Sequence, residues 1–190
     1  MIKKIGLQNI ELAKNGNRQI LSDIIDDFWQ PIFRYAFKKT LDLKHAISLT
    51  EQTFVRALSD IKNTSFEDSD SLGIWLYKIA RGESAREWSL FGRKKNIHFP
   101  NRSLSYLRSE LKEAEVSIRN DRNFDQIKRL LRKLGSAQRD VVVLHYMEQE
   151  SLENIARIFE TKLDEIKKIK TRALDKLELF MGKETKRARI

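Results

Sequence analysis

From Ile20 onward, Leu21, Ile24, Ile25, Phe28, Trp29, Ile32, Phe33, Ala36 and Phe37 recur at i, i+3 and i+4 spacing. That pattern predicts an amphipathic helix with one apolar stripe facing a core. Pro31 lies inside the stripe and lacks the N–H that a helix interior uses, so a kink or a fresh start is predicted there. Asp42 stands where an N-cap is needed for a second helix, whose buried face would use Ala46, Phe54, Ala57, Leu58 and Ile61. The polar run from Asn63 to Ser71 reads as a loop ending in capping residues. A third helix follows, carrying Leu72, Trp75, Leu76, Ile79 and Ala80, with Trp88 at its end. Residues 92–122 break the pattern with Gly92, Pro100 and many polar positions, leaving only Leu104, Leu107 and Leu111 for a helical turn or two. So long a stretch is foreign to a compact domain and predicts a linker.

Helical spacing resumes at Phe124, Ile127, Leu130, Leu131 and Leu134, and Gly135 is read as the C′ residue that stops it. Ser136 would cap the next helix, which buries Val141, Val142, Leu144 and Met147. Ser151 would cap a short helix with Leu152, Ile155, Ala156 and Phe159. After a turn at Glu160, Thr161 would cap a last helix built on Leu163, Ile166, Ala173, Leu174 and Leu177. A short helix, a tight turn and a longer amphipathic helix form a helix-turn-helix pattern. Glycine is more usual at such a turn, because the backbone there commonly takes positive φ.

Composition agrees with the periodicity. The 190 residues include only 7 Gly and 2 Pro, and Asn15-Gly16 is the one hairpin-type dipeptide, so the fold class is all-α: two small helical domains joined by a flexible linker. The expected boundaries are 1–91, 92–122 and 123–190. The absence of cysteine excludes a disulfide-stapled fold, a thiol nucleophile and a zinc-thiolate site. No apolar h-region opens the chain and no window approaches 18 consecutive apolar residues, so neither a signal peptide nor a transmembrane helix is expected. His45, His98 and His145 lack partners at metal-ligand spacing, and no phosphate loop or nucleophile elbow occurs. No cofactor, metal or catalysis is expected.

Charge changes the picture more. Residues 1–91 hold 13 basic and 12 acidic side chains, against 24 and 15 in 92–190. The second half therefore carries +9 of the net +10, which suits a polyanionic partner or, equally, a basic solvated surface. On a wheel of the last helix, Thr161, Asp164, Glu165, Lys168, Thr171, Arg172 and Asp175 face away from the apolar side, with Lys167 on the flank. A helix that reads DNA needs such an outward face, because only hydrogen-bonding side chains reach base edges in the major groove. Lys168 and Arg172 suit guanine or phosphate, and Glu165 suits cytosine. A solvated helix face with acids favoured at its N-terminus is the competing reading.

Three stretches, taken in order and separation, resemble the extracytoplasmic-function (ECF) sigma factors of the sigma-70 family. Trp29-Gln30-Pro31-Ile32-Phe33-Arg34-Tyr35-Ala36 is similar to the family's first-helix pattern. Ile74-Trp75-Leu76-Tyr77-Lys78-Ile79-Ala80-Arg81 matches its W-L-Y-x-I-A-R string. Arg139-Asp140-Val141-Val142, Ile155-Ala156, Ile166-Lys167 and Arg172-Ala173 reproduce the spacing of region 4. The chain departs from the family at Ile47-Ser48, where an acidic pair is usual, at Glu51-Gln52, which inverts the usual order, and at Gly82 and Arg86, where Asn and Asp are common. Leu134-Gly135 replaces the usual leucine-proline.

The resemblance implies a cytoplasmic, non-enzymatic subunit that binds core RNA polymerase through the β′ clamp helices and β flap. It further implies recognition of promoter −10 and −35 elements and help in melting the promoter. Core binding would fall to Asp42, Leu49, Glu51, Gln52 and Phe54, and the −10 element to the loop before the third helix with Lys78, Arg81 and Arg86. The −35 element would fall to Thr161, Lys162, Glu165, Lys167, Lys168, Thr171 and Arg172. Arg93-Lys94-Lys95 suits duplex phosphate or simply a solvated linker. An anti-sigma factor is a common further partner in the family. Two alternatives stay open: a stand-alone helix-turn-helix regulator, and a sigma paralogue acting only through protein contacts.

Overall fold

The computed structural model describes residues 4–89 and 124–187, with side chains described over 4–85 and 125–181. Among the described residues every regular element is helical. In chain order they are α1 (Leu7–Lys14), α2 (Arg18–Thr40), α3 (Leu43–Asp60), a 3-10 turn (Ile61–Asn63), α4 (Ser71–Ser89), α5 (Phe124–Lys133), α6 (Ser136–Val142), a π turn (Val143–Met147), α7 (Leu152–Phe159) and α8 (Leu163–Arg187). The predicted linker 92–122, with its leucines and the basic trio, lies outside the described residues, as do His98 and the side chains of Arg86 and Trp88.

The caps explain most boundaries. The Asn17 side chain accepts from the N–H groups of Gln19 and Ile20 and starts α2, while Asp42 accepts from His45 N–H and starts α3. Ser151 Oγ accepts from Asn154 N–H at 3.0 Å and starts α7, as the sequence predicts. Replacing Ser151 with alanine should lower the unfolding free energy by about 1 kcal/mol, readable in a urea melt, because one orphan N–H loses its partner.

Several expectations need correction. α2 runs unbroken through Pro31, with no fresh start. Beyond the proline, Ile32, Phe33, Tyr35, Ala36 and Phe37 are all buried, and this packing carries the helix past the lost donor. Leu58 and Leu174 are exposed at 39% and 38%. Each follows a buried alanine (Ala57, Ala173), and one 100° step along the helix turns it out of the seam. Gly135 does not stop a helix in the left-handed region; it takes φ −64° and ψ 162° as the N-cap of α6, displacing Ser136 from that role. Gln138 Oε1 accepts from Gly135 N–H at 3.1 Å, so the chain re-enters a helix at once. Helix α1, which the sequence reading did not anticipate, sets Ile10 and Ala13 against α2.

Helices α2, α3 and α4 pack on one another, with α1 on α2; α6, α7 and α8 form a second group, with α5 on α8. The groups share one core: Phe28, Tyr35, Leu76 and Tyr77 belong to the same apolar cluster as Val141, Leu144, Ile155 and Ile158. α4 meets α7, and α2 meets both α6 and the π turn. A smaller cluster of Phe33, Ala36, Phe37, Ala46 and Leu49 closes the far side of the α2–α3 seam.

Candidate nucleic-acid interface

The turn between α7 and α8 is tight because Glu160 takes the left-handed conformation, φ 53° and ψ 44°. Its N–H and that of Thr161 bond back to carbonyls of α7. This is the turn the sequence reading placed at Glu160, strained for want of glycine. Ile166 and Ala173 are fully buried and seat α8 on α6 and α7, with Leu163, Ile169 and Leu177 packed around them.

Thr161 and Lys162 are exposed in the turn before α8, which starts after Lys162 and not after Thr161 as expected, and the seating turns Glu165, Lys167, Lys168, Thr171 and Arg172 to solvent on its N-terminal half. They form one continuous face, and two of its ion pairs are internal. Lys168 Nζ donates to Glu165 Oε1 at 2.7 Å, and Lys167 lies 3.8 Å from Asp164. The hydrogen bond from Lys168 pulls the Glu165 carboxyl below the usual glutamate range. Glu165 therefore holds Lys168 as well as offering an acceptor of its own. Thr171 Oγ1 donates to the Lys167 carbonyl and is occupied along the helix.

The α4 residues are placed differently. Lys78 Nζ lies 2.6 Å from Glu160 Oε1, and the Arg81 guanidinium sits 4.0 Å over the Phe159 ring and 3.7 Å from Asp140. Trp75 is half-buried, edge-on to Phe66 at 5.3 Å, and Tyr77 is buried edge-on to Tyr35 at 5.5 Å. In the preceding loop Asp68 accepts from Asp70 N–H and Ser71 Oγ, so this acid shapes the loop and holds it to the helix start. Ser71 and neighbouring loop hydrogen bonds hold the Asp68 carboxyl below its ordinary range.

On α3, Asp42 is the helix cap and its carboxyl is pulled down by His45 N–H. Glu51 and Gln52 are half-buried at the surface, whereas Leu49 and Phe54 point inward. Phe54 stacks on Trp29 with centroids 5.7 Å apart. The inward pair holds the helix that presents the outward pair.

Sequence reasoning missed a cluster of buried charges. Asp140, 2% exposed, accepts from Lys39 Nζ and from Tyr35 Oη at 3.0 Å. Lys39 also donates to Ser136 Oγ at 2.8 Å. Glu148, 4% exposed, receives Lys38 at 2.7 Å and Arg34 at 3.1 Å. Burial pushes the Asp140 carboxyl up and the Lys39 ammonium down, each against the pull of its partner. Burial and the Asp140 charge push the Tyr35 hydroxyl up as well. The only trace in the sequence was a run of cations, Arg34, Lys38 and Lys39, inside the apolar stripe of α2.

His45 pairs with Asp42, and His145 Nδ1 lies 2.9 Å from the Glu150 carbonyl. Among the described residues no group of three potential ligands is placed to hold a metal ion, and no helix is long and apolar enough to cross a membrane.

Residues 124–177, from α5 into α8, match the family model described as Sigma-70, region 4. Over 174 residues the chain is 25% identical to the RNA polymerase sigma factor YlaC of Bacillus subtilis, covering 92% of this chain and 99% of that one. It is 24% identical over 179 residues to the ECF RNA polymerase sigma factor SigW of the same organism, covering 88% and 89%. Its fold is similar to that of the sigma factor RpoE in the co-crystal structure with the anti-sigma factor NepR from Bartonella quintana. There the TM-score is 0.60 at 19% identity, over 85% of this chain and 96% of that one.

Proposed function

We infer that this chain, which belongs to the extracytoplasmic-function sigma factors of the sigma-70 family, binds core RNA polymerase, recognises promoter −10 and −35 elements and promotes melting. The observation that carries this reading is the region 4 match laid over a helix-turn-helix whose turn and second helix together present Thr161, Lys162, Glu165, Lys167, Lys168, Thr171 and Arg172 to solvent. W-L-Y-x-I-A-R in α4 favours it over a stand-alone regulator, which has no use for a polymerase-binding domain.

In this reading residues 1–91 are a region 2 domain and 123–190 a region 4 domain, with 92–122 between them. Asp42, Glu51 and Gln52 on α3, braced by Leu49 and Phe54, meet the β′ clamp helices, and the second domain meets the β flap. Lys78, Arg81 and Arg86 on α4, with the loop before it, hold unstacked −10 bases, because a flipped base needs a cationic or aromatic surface to replace its stack. The exposed face of α8 enters the major groove at the −35 element. The protein acts in the cytoplasm beside polymerase, needs no cofactor and catalyses nothing itself, and an anti-sigma factor is a fitting regulator.

Capture by core polymerase, followed by transcription from a randomised promoter library, tests the reading. Within α8 the variants should separate by role. Lys168→Ala should weaken binding to all −35 sequences alike and reduce the salt slope by about one unit, as loss of a phosphate contact does. Glu165 cannot attract phosphate, and Glu165→Ala should change which sequences are preferred while releasing Lys168. Unchanged preference and affinity in both variants would show that α8 does not read DNA.

A further inference from the structure

Gly82 lies exposed in the interior of α4, well away from either end of the helix. A glycine there weakens the helix relative to alanine, because its backbone gives up more freedom on folding. Gly6 and Gly135 are helix N-caps, Gly16 takes a φ of 83°, and Gly73 is buried. Gly82 does none of these. Its chain neighbours and its own helix backbone aside, no described atom lies within 4 Å of where a Cβ would sit. The described fold therefore has room for a side chain at 82 and would gain stability from one. What glycine offers instead is an uncovered strip of helix backbone, onto which a ligand can settle more closely than any other residue permits.

The neighbouring side chains suit one class of ligand. Trp75, Lys78, Gly82 and Ala85 fall on one side of α4. Trp75 is half-buried against Phe66, Lys78 keeps 33% of its side chain in solvent beside Glu160, and Ala85 is exposed. An aromatic, a cation and bare backbone in succession suit an unstacked nucleic-acid strand, which presents a base face, a phosphate and a sugar in turn. At 82 itself no side chain donates to or accepts from a base edge, so a contact there carries no sequence information.

Resting on the −10 assignment of α4, we propose that Gly82 is where the unstacked strand lies directly on the helix backbone. The contact sets how closely the strand seats and accepts any base at that place. Lys78, one turn earlier, supplies the attraction for phosphate.

Because position 82 is open, Gly82→Ala disturbs no packing, and a loss of binding would come from the strand's side of the contact. In the full chain this variant should melt about 2–4 °C higher than wild type, as replacing an exposed helical glycine does for a chain of this size. It should nevertheless bind labelled single-stranded oligonucleotides about tenfold more weakly, whatever their sequence, because the added methyl props the strand away. Gly82→Asn supplies an amide that can bond a base edge, and it should create a preference at one position of a randomised oligonucleotide where the wild type has none. Gly82→Ala combined with Ala85→Gly returns α4 to its wild-type helix propensity but keeps the methyl. Its melting temperature should fall back while binding stays weak.

Unchanged affinity in Gly82→Ala, no new preference in Gly82→Asn, or binding regained in the double variant would overturn the proposal. The last result would show that helix flexibility, and not closeness, was responsible. Lys78→Ala separates this contact from the −10 assignment. If Lys78→Ala weakens binding and Gly82→Ala does not, the strand lies on α4 but away from Gly82, and only the close contact falls. If neither weakens binding, or the wild-type chain binds no oligonucleotide, α4 takes no strand and both fall. Capture of the wild-type chain by core polymerase tests the sigma reading separately: its absence beside the expected oligonucleotide results would fault that reading and leave the contact at Gly82 standing.

Discussion

Replacing Phe54 with alanine should lower the unfolding free energy by about 3–5 kcal/mol, the range for truncating a buried aromatic to alanine. The ring is 1% exposed and stacked on Trp29, so removing it forfeits transfer energy and opens a cavity at the seam of α2 and α3. For a chain of this size that is a fall in melting temperature of roughly 10 °C. Calorimetry checks it, and a loss below about 1 kcal/mol would mean that the seam repacks. If α3 meets core polymerase as proposed, capture should fall with stability, because the same helix carries the half-buried Glu51 and Gln52. Phe54→Leu, which keeps most of the volume, should recover most of both.

Asp140→Ala should cost about 3–5 kcal/mol in the packing of the two halves, since removing one member of a buried pair strands the other. Lys39, 7% exposed, would keep Ser136 but lose its carboxylate, and Tyr35 would lose its acceptor. The damage should be confined to the contact between the halves, because the ammonium can regain water by opening that contact instead of unfolding the whole chain. Calorimetry should show one cooperative transition in the wild type, where a single apolar cluster spans both halves, and two in Asp140→Ala. Pairing Asp140→Leu with Lys39→Met should move the transitions back together, because an apolar pair of similar volume removes the stranded ammonium, although Tyr35 Oη and Arg81 still lose this carboxylate. A single transition at the wild-type temperature in Asp140→Ala would show that this pair does not hold the halves together.

The two variants test different layers of the molecule, and the layers differed in how far they could be read beforehand. α2, α3 and α4 were legible because their buried positions repeat with the helical period. Asp42 and Ser151 were legible as caps because a short acceptor at the start of an apolar run has a local partner. The exposed face of α8 followed from the same geometry: once Ile166 and Ala173 are inside, Lys168 and Arg172 are outside. Local rules failed where the next element decided the outcome. Gly135 looked like a helix stop until Ser136–Val142 followed it directly, and Leu58 and Leu174 counted as core because wheel arithmetic cannot say how wide the neighbouring helix is.

The α4 cations show the limit most clearly. Lys78 and Arg81 read from the sequence as a free basic face, and in the fold they meet Glu160, Asp140 and Phe159 from more than fifty residues away. Likewise nothing in the sequence pattern gave Arg34, Lys38 and Lys39 a partner, and in the fold they meet Glu148 and Asp140. Helix type, the caps at Asp42 and Ser151, the helix-turn-helix and the resemblance to a family were legible in the sequence alone, because each depends on residues close together or on a pattern carried whole along the chain. Which charges are buried, which meet one another and which face is covered were decided only by tertiary structure, because burial and ion pairing depend on distance in space between segments whose sequences carry no record of it.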